Sequence, residues 1–287
     1  MRTYLVTGAN SGLGLEAVRA LARRNERIIM AVRDRERGEV ARAELLRESP
    51  QAVLELEQVD LTDLDSVRAL GAKPLGVDVL INNAGLGLVP LERTAEGVYL
   101  QFAANHLGHF LLTALLLPQL EKGTEPRVVT VTSFLSRKGK LDLGNLDARR
   151  GYNPRTAYAQ SKLANALFGA ELDRRLRARN SPVKSVLAHP GMAATPLQRK
   201  PTGFVGAVSR VLSLLFARSA TNGALPIIEA AVGLDVAGGE IHGPAKEKTG
   251  PARREETWPS MKDRHGARAL WERSEQLARV RFLPPSP

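Results

Sequence analysis

The stretch Thr7-Gly8-Ala9-Asn10-Ser11-Gly12-Leu13-Gly14 decides the fold of this chain. It follows a short apolar segment, Arg2 to Thr7, and precedes an amphipathic segment, Leu15 to Arg24. A strand, a glycine-rich turn and the start of a helix bring backbone N–H groups and a positive helix end against an anion. For this motif alone, a glycine-rich turn without a ligand is the alternative interpretation.

The glycine spacing is G-x-x-x-G-x-G rather than the commoner G-x-G-x-x-G. Gly8 allows the turn, Gly12 allows a pyrophosphate to approach closely, and Gly14 allows the helix to pack on the sheet. The pattern therefore indicates a dinucleotide site. The expected contacts within the loop are Gly8, Asn10, Ser11, Gly12, Leu13 and Gly14.

Strand and helix patterns alternate along the rest of the chain without an internal repeat or a linker, which is typical of one α/β domain with a parallel sheet. The further strands are predicted at Arg27–Val32, Val53–Val59, Val77–Ile81, Arg127–Thr132, Val183–Ala188 and Gly238–Gly243. The further helices are predicted at Asp34–Ser49, after Asp63, and at Ala95–Leu120, Thr156–Arg179 and Ala220–Val232.

The second predicted strand ends at Val32-Arg33-Asp34. At this place a dinucleotide fold reads the adenine ribose: a carboxylate binds the 2′-hydroxyl, whereas arginine accepts a 2′-phosphate. Val32 is not acidic and Arg33 follows it, so NADP(H) is favoured over NAD(H). A shifted register that brings the Asp34 carboxylate to the ribose is the alternative.

Two later strand ends carry polar or small residues. Asp60, followed by Leu61, is placed to accept a hydrogen bond from an adenine amino group, and Asp63 is a candidate helix cap. Asn82-Asn83-Ala84-Gly85 follows the fourth strand, where small residues let the backbone lie close to a flat ligand. Asn83, Ala84 and Gly85 are therefore predicted cofactor contacts.

Tyr158 and Lys162 are four residues apart on a predicted helix, so their side chains share one face. A nearby ammonium stabilises phenolate and lowers the pKa of the tyrosine. Tyr158 is thus a candidate general acid/base, although such a pair on a helix is often ordinary surface. Ser133 ends the fifth strand at the sheet edge where such folds bind ligands.

Asn105 lies within the apolar predicted helix, where a polar amide is unfavourable unless it has a partner. His106 and His109 are three residues apart, but no third metal ligand with suitable spacing appears. We interpret both histidines as packing or supporting residues and predict no metal site.

Composition narrows the classes of protein. The 287-residue chain has no cysteine, which excludes disulfides and thiol chemistry. The net charge of +11 is compatible with nucleic-acid binding, but the arginines are scattered along helices without interleaved aromatic residues. The N-terminus runs directly into a strand, and the later apolar run Phe204 to Phe216 is short. We therefore expect a cytoplasmic enzyme with no transmembrane segment and no specific nucleic-acid partner.

In combination, these motifs resemble the short-chain dehydrogenase/reductase family over about residues 1–195. The residues of segments 9–14, 31–34, 105–110 and 189–191 resemble those of one branch of the family. This branch contains the retinol dehydrogenases, the WW-domain oxidoreductases and the protochlorophyllide reductases. The absence of cysteine departs from the light-driven reductases and disfavours a protochlorophyllide substrate. The matching segments are Thr7–Gly14 with the TGxxxGxG loop, Asn82–Gly85 with NNAG, Ser133, Tyr158 and Lys162 with the Ser-Tyr-x-x-x-Lys centre, Asn105 with the fourth catalytic residue, and Pro190-Gly191 with the PG motif.

The resemblance implies a single-domain Rossmann fold, with a doubly wound parallel sheet of about seven strands and helices on both faces. It implies hydride exchange between a nicotinamide and a carbonyl or alcohol. Ser133 would orient the carbonyl, Tyr158 would transfer the proton, Lys162 would bind the ribose and lower the pKa of Tyr158, and Asn105 would hold a relay water. The implied cofactor contacts also include Tyr158, Lys162, Pro190, Gly191, Met192 and Thr195.

The rest of the chain is less informative. Residues 196–220 are expected to form an apolar substrate lid, and residues 245–287 a peripheral extension. A non-catalytic NADP sensor of the same fold is the main alternative function, but the four intact catalytic residues disfavour it. Association into homo-oligomers is left open.

Overall fold

The computed structural model describes residues 1–191, 208–246 and 249–283, with the backbone alone for residues 208–219, 246 and 249. In these ranges eight strands form one sheet. In chain order, β1 to β8 are Thr3–Thr7, Arg27–Val32, Val53–Gln58, Val79–Asn82, Arg127–Val131, Lys184–Ala188, Ile241–Lys246 and Thr249–Glu255.

Helices connect most of these strands. In chain order, α1 to α8 are Gly12–Ala22, Arg35–Glu48, Leu64–Gly71, Leu100–Phe102, Gly108–Leu120, Pro154–Ala178, Val208–Val232 and Arg264–Ala278. A π-helical turn, Ala103–Leu107, joins α4 to α5, so the backbone is helical without a break from Leu100 to Leu120. Short 3₁₀ turns occupy Phe134–Lys138, Leu143–Asn145 and Pro259–Lys262.

The sheet order is β3-β2-β1-β4-β5-β6-β7-β8, and only the β7–β8 pair is antiparallel. The chain moves outward from β1 to β3 and then returns to start the other half at β4. This reversal opens a crevice beyond the carboxyl ends of β1 and β4, which is where ligands bind in such sheets. The predicted doubly wound Rossmann fold is confirmed, with one more strand than expected.

The side chains of each strand point alternately to the two faces of the sheet, and an apolar layer covers each face. Leu5 and Ile29 pack with α3, α5, α6 and α8, whereas Val6 and Met30 pack with α1, α2 and α7. Successive side chains of a strand point to opposite faces, so strands buried on both faces read as continuous apolar runs. The central strands are held on both sides, which fixes the position of the residues that follow them.

Two helix boundaries differ from the sequence prediction. The long central helix begins at Leu100 rather than Ala95, and α7 begins at Val208 rather than Ala220. By length and composition, Leu100–Leu120 could cross a membrane, although 83% of its most apolar 18-residue window is buried within the protein. A core helix passes the same test. The expected lid falls partly on residues 192–207, which lie outside the described residues.

The expectation of a peripheral C-terminal extension needs correction. Thr249–Glu255 forms the edge strand β8, and α8 packs on α6 with Trp271 only 1% exposed. Helix α8 has apolar residues on one face and charged residues on the other, so it buries a stripe against the core. The described part of the C-terminal region is therefore integral to the domain.

Candidate active site

The Thr7 hydroxyl is the centre of the first group of contacts in the crevice. It accepts hydrogen bonds from the backbone N–H groups of Asn83 and Ala84, both at 3.0 Å. The Asn83 side chain returns a bond to Thr7 O at 2.8 Å. These bonds tie the glycine loop after β1 to the segment after β4. Two segments that the sequence predicts as separate cofactor contacts thus form one surface.

The glycine loop has room for a ligand at the predicted place. Gly8 and Gly12 have positive φ values of 66° and 55°, and a Cβ atom on Gly12 would meet nothing within 4 Å. A Cβ on Gly14 would collide with the carbonyl of Gly8, so this glycine is needed for packing. The Ser11 side chain makes no capping hydrogen bond to the first turn of α1. Open space beside uncapped N–H groups fits a pyrophosphate.

Asn10 and Arg37 line a cavity of about 380 Å³ between α1 and the start of α2. Arg33 is exposed, and its side chain has no hydrogen bond or ion pair within the part of the chain that the structure describes. Asp34 caps α2 by accepting from the N–H of Arg37 at 3.0 Å. The carboxylate that could have read a ribose is therefore engaged in the helix cap, while Arg37 lines the cavity together with Glu36 and Glu44.

Asp60 and Leu61 follow β3 near the same edge. Asp60 Oδ1 accepts from the N–H of Thr62 at 2.8 Å and from its hydroxyl at 2.7 Å. Leu61 is buried, and its carbonyl packs so closely on Gly108 that a Cβ there would collide with it. Asp63 caps α3 as predicted, accepting from the N–H of Asp65 at 3.0 Å.

Asn105 lies in the π-helical turn, a local widening that is frequent at functional sites. Its amide exchanges two hydrogen bonds with the backbone of Leu86, at 2.6 and 2.9 Å, and donates to Ser161 Oγ at 2.8 Å. The amide that is unfavourable in an apolar helix thus has partners. A Cβ on Gly85 would lie 3.1 Å from Asn105 Oδ1 and 3.4 Å from Lys162 Nζ, so these three residues converge.

The Lys162 ammonium is buried and donates to the carbonyl of Val131, at the end of β5, at 3.1 Å. Desolvation by burial lowers the pKa of Lys162 to about 8. The Thr132 hydroxyl donates to Lys162 O at 2.7 Å, which fixes α6 against the same strand end. At neutral pH the ammonium is still mainly protonated because its pKa lies above 7.

Tyr158 is 7% exposed on the same face of α6. Burial raises the pKa of Tyr158, and a hydrogen bond with the Ser133 side chain acts in the opposite direction. The sequence analysis predicts a pKa lowered by Lys162. This prediction is wrong, because desolvation by burial outweighs the other influences on the pKa of Tyr158. The phenol is therefore protonated at neutral pH, in contact with Ser133.

His109 connects Asn105 to the glycine loop. Its Nδ1 donates to the Asn105 carbonyl at 3.0 Å, which leaves Nε2 to accept from the Thr7 hydroxyl at 2.8 Å. Burial lowers the pKa of His109 to about 4, although the bond to Asn105 opposes that shift and the charge of Lys162 adds to it. Burial and the proximity of His109 lower the pKa of His106 to about 3. Both rings are therefore neutral supports.

The lowered pKa values of His106 and His109 predict that the stability of the protein depends on pH. An unfolded histidine binds its proton near pH 6.5, whereas the folded rings bind theirs only near pH 3 and pH 4. The unfolded chain therefore holds more protons in this interval, and stability is lost as the pH falls through it. We expect the free energy of unfolding to drop by about 2 kcal/mol per histidine between pH 7.5 and pH 5. Urea unfolding at the two pH values measures this drop.

The matched variants separate buried from exposed histidine. His109→Gln should reduce the pH dependence, whereas His265→Gln, on the exposed face of α8, should leave it unchanged. A wild-type unfolding free energy that is equal at both pH values would contradict the assignment of neutral buried rings.

Pro190 and Gly191 follow β6 at the crevice. Gly191 has a φ of 70°, and its N–H donates to His189 Nδ1 at 3.1 Å. Met192 and Thr195, predicted as further contacts, lie outside the described residues. The supporting role of His109 was predicted, but its hydrogen bond with Thr7 was not, because that bond joins positions 102 residues apart. Arg37 could have been predicted as a phosphate contact from the sequence, because it lies four residues after Arg33.

Fold and site together define a dinucleotide-binding protein whose crevice holds a buried tyrosine and lysine. A family described as short chain dehydrogenase matches residues 2–203. The chain belongs to this family, and its retinol dehydrogenase-like character is confirmed by its relatives. Human retinol dehydrogenase 14 is 38% identical over 296 residues, which cover 96% of this chain and 86% of that protein.

Two solved structures are also similar. A crystal structure of a protein from Mycobacterium paratuberculosis has 42% identity and a TM-score of 0.84, covering 99% of this chain and 96% of that one. The alcohol dehydrogenase from the archaeon Thermococcus sibiricus, complexed with 5-hydroxy-NADP, has 25% identity and a TM-score of 0.53. That match covers 74% of this chain and 91% of the archaeal one.

Proposed function

We propose that this oxidoreductase uses NADP(H) to interconvert a hydrophobic carbonyl compound and its alcohol, with Tyr158 as general acid/base. The observation that carries the proposal is the group of buried Tyr158, Lys162 and Asn105 with half-buried Ser133 at the carboxyl edge of the central strands. A nicotinamide cofactor, when bound, supplies or accepts the hydride. The protein supplies the geometry and the proton.

In the reducing direction, Ser133 orients the carbonyl oxygen and Tyr158 donates its proton as negative charge develops there. The raised pKa of Tyr158 keeps this proton in place at neutral pH. Lys162, placed beside Gly85 and Asn105, binds the nicotinamide ribose and stabilises the phenolate that remains. Both N–H groups of the Asn105 amide are used, by Leu86 O and Ser161 Oγ, so the relay water assigned to this residue would donate to one of its oxygen atoms.

The glycine loop and the uncapped start of α1 hold the pyrophosphate, and Pro190 and Gly191 line the nicotinamide end. Preference for NADP(H) rests on Arg33 and Arg37, which offer two guanidinium groups to a 2′-phosphate, while Asp34 serves as a helix cap. The archaeal alcohol dehydrogenase solved with 5-hydroxy-NADP supports this choice.

Arg33→Ala should weaken NADPH binding about 10- to 100-fold, since a hydrogen bond to a charged group contributes about 1.5–3 kcal/mol. Affinity for NADH, which lacks the phosphate, should change little. Titration of the purified protein with each cofactor, followed by cofactor fluorescence, measures both affinities. Arg35→Ala is the control, because Arg35 is an equally exposed neighbour that pairs with Glu39 at 3.7 Å. Tighter binding of NADH than of NADPH by the wild type would overturn the assignment.

The apolar substrate class is supported by Leu88 and Leu135, which are 39% and 49% exposed on the segments after Gly85 and Ser133. The similarity to proteins named retinol dehydrogenases points the same way. A panel of long-chain, aromatic and short polar carbonyl compounds, assayed with the preferred cofactor, tests this part. We further propose that the protein is cytoplasmic. We also propose that its basic surface does not bind a specific nucleic-acid partner.

A further inference from the structure

A carboxylate from the C-terminal hairpin reaches the active-site edge of the sheet. Glu255 ends β8 and its side chain is 10% exposed. Glu255 Oε2 accepts from Trp258 Nε1 at 3.1 Å and from the Arg137 guanidinium at 3.2 Å. Glu255 Oε1 lies 3.1 Å from His189 Nε2. Three segments that are distant in sequence therefore meet at one side chain.

His189 connects Glu255 to the loop that we assign to the nicotinamide end. The ring is 1% exposed, and its Nδ1 accepts from the Gly191 N–H at 3.1 Å. In the neutral ring, Nε2 must then carry the proton, and it lies 3.1 Å from Glu255 Oε1 as a charge contact rather than a hydrogen bond. The negative charge of the carboxylate thus favours the tautomer that holds Gly191, next to Pro190.

Arg137 connects Glu255 to the turn that begins after Ser133. Its guanidinium lies 4.5 Å from the ring centroids of both Phe134 and Trp258, so it is held between two aromatic faces. Arg137 belongs to the 3₁₀ turn whose N-cap is Ser133. The position of Ser133 is therefore coupled to the same carboxylate as the Gly191 loop.

The neighbouring strand leaves space for this contact. A Cβ atom on Gly243, in β7, would collide with both His189 Nε2 and Glu255 Oε1. Burial opposes ionisation of Glu255, but the proximity of His189 at 3.1 Å, the hydrogen bond from Trp258 and the charge of Arg137 outweigh it and lower the pKa of the carboxyl. The group is an ionised acceptor at neutral pH.

We propose that Glu255 is a positioning residue of the active site, which holds the Pro190-Gly191 loop through His189 and the Ser133 turn through Arg137. It contacts neither substrate nor cofactor. The predicted effect of Glu255 on turnover rests on the proposed function, whereas its predicted effect on His189 and Gly191 does not.

The test compares two chemically similar carboxylates in the full-length protein. Glu240 is 11% exposed and also contacts a histidine and an arginine, His242 at 3.1 Å and Arg254 at 3.0 Å, but among the described residues its side chain contacts neither active-site segment. Glu255→Ala should reduce kcat/KM about 10- to 100-fold, since small misplacements of reacting groups have effects of this size. Glu240→Ala should stay within about threefold of wild type, and Glu255→Gln, which retains an acceptor, should recover part of the loss.

A second measurement needs no turnover. In ¹⁵N-labelled protein, the ring nitrogens of His189 should report one tautomer in the wild type and in Glu240→Ala, and a mixture in Glu255→Ala. The Gly191 amide should then exchange with solvent faster in Glu255→Ala alone. Unchanged His189 signals, or equal loss of kcat/KM in the two alanine variants, would overturn the inference. Absence of turnover in the wild type would instead reject the proposed function, while the nitrogen signals would still decide the role of Glu255.

Discussion

Tyr158→Phe should reduce kcat by about 10²–10⁴-fold while NADPH affinity stays within about threefold of wild type. The substitution removes one oxygen and leaves a ring of nearly the same size in a site that is 7% exposed, so packing is preserved. The proton that must reach the substrate oxygen is lost with the phenol. Steady-state kinetics with the best carbonyl substrate and a fluorescence titration with NADPH measure the two effects separately.

Tyr152→Phe is the matched control. Tyr152 precedes α6, and its hydroxyl donates to Val89 O at 2.9 Å and accepts from Gln101 at 2.7 Å. Its loss should affect stability slightly and kcat by only a few-fold. Retention of more than about a tenth of the wild-type kcat in Tyr158→Phe would reject Tyr158 as the proton donor.

The raised pKa of Tyr158 also gives the two reaction directions opposite pH dependences. Carbonyl reduction needs the protonated phenol and should decline as the pH rises through its pKa, whereas alcohol oxidation needs the phenolate and should increase. Lys162, with a pKa of about 8 in the free protein, is a second group that titrates in the alkaline range. The apparent values therefore belong to the coupled pair.

Short-range patterns accounted for much of the fold and of the predicted site. The glycine loop, the Asn82–Gly85 segment and Ser133 each follow a buried strand directly, so strand prediction also places them at one edge of the sheet. Tyr158 and Lys162 share a helix face because of their spacing alone. Local sequence was sufficient in these cases because position in a parallel sheet is set by the strand end.

Contacts between distant positions were not predictable in the same way. Thr7 meets His109, and Glu255 meets Arg137 across 118 residues, and neither pair carries a local signal. The electrostatic prediction for Tyr158 failed for a related reason: spacing indicated the nearby Lys162, but the degree of burial, which decides the direction of the pKa shift, depends on the whole fold.

The packing of the C-terminal helix α8 against the core is the largest departure from the sequence analysis. Trp271→Ala should show how much this helix contributes to the stability of the protein. The Trp271 ring stacks on Phe282 at 4.8 Å and lies 4.3 Å from the guanidinium of Arg175. Its Nε1 donates to Phe282 O at 2.9 Å. Removing a buried tryptophan typically costs about 3–5 kcal/mol, a large fraction of the stability of a domain. Urea unfolding at pH 7.5 measures the loss.

Arg268→Ala, on the exposed face of the same helix, should change the unfolding free energy by less than about 0.5 kcal/mol. The same helix supports the π-helical turn, because the Ser274 hydroxyl lies 2.8 Å from His106 Nε2, next to Asn105. Loss of Trp271 should therefore also lower kcat in the fraction that stays folded. A loss of stability below about 1 kcal/mol would restore the view of a peripheral tail, whereas the full loss would show that the C-terminal region builds the core, and the lower kcat would show that it also supports the active site.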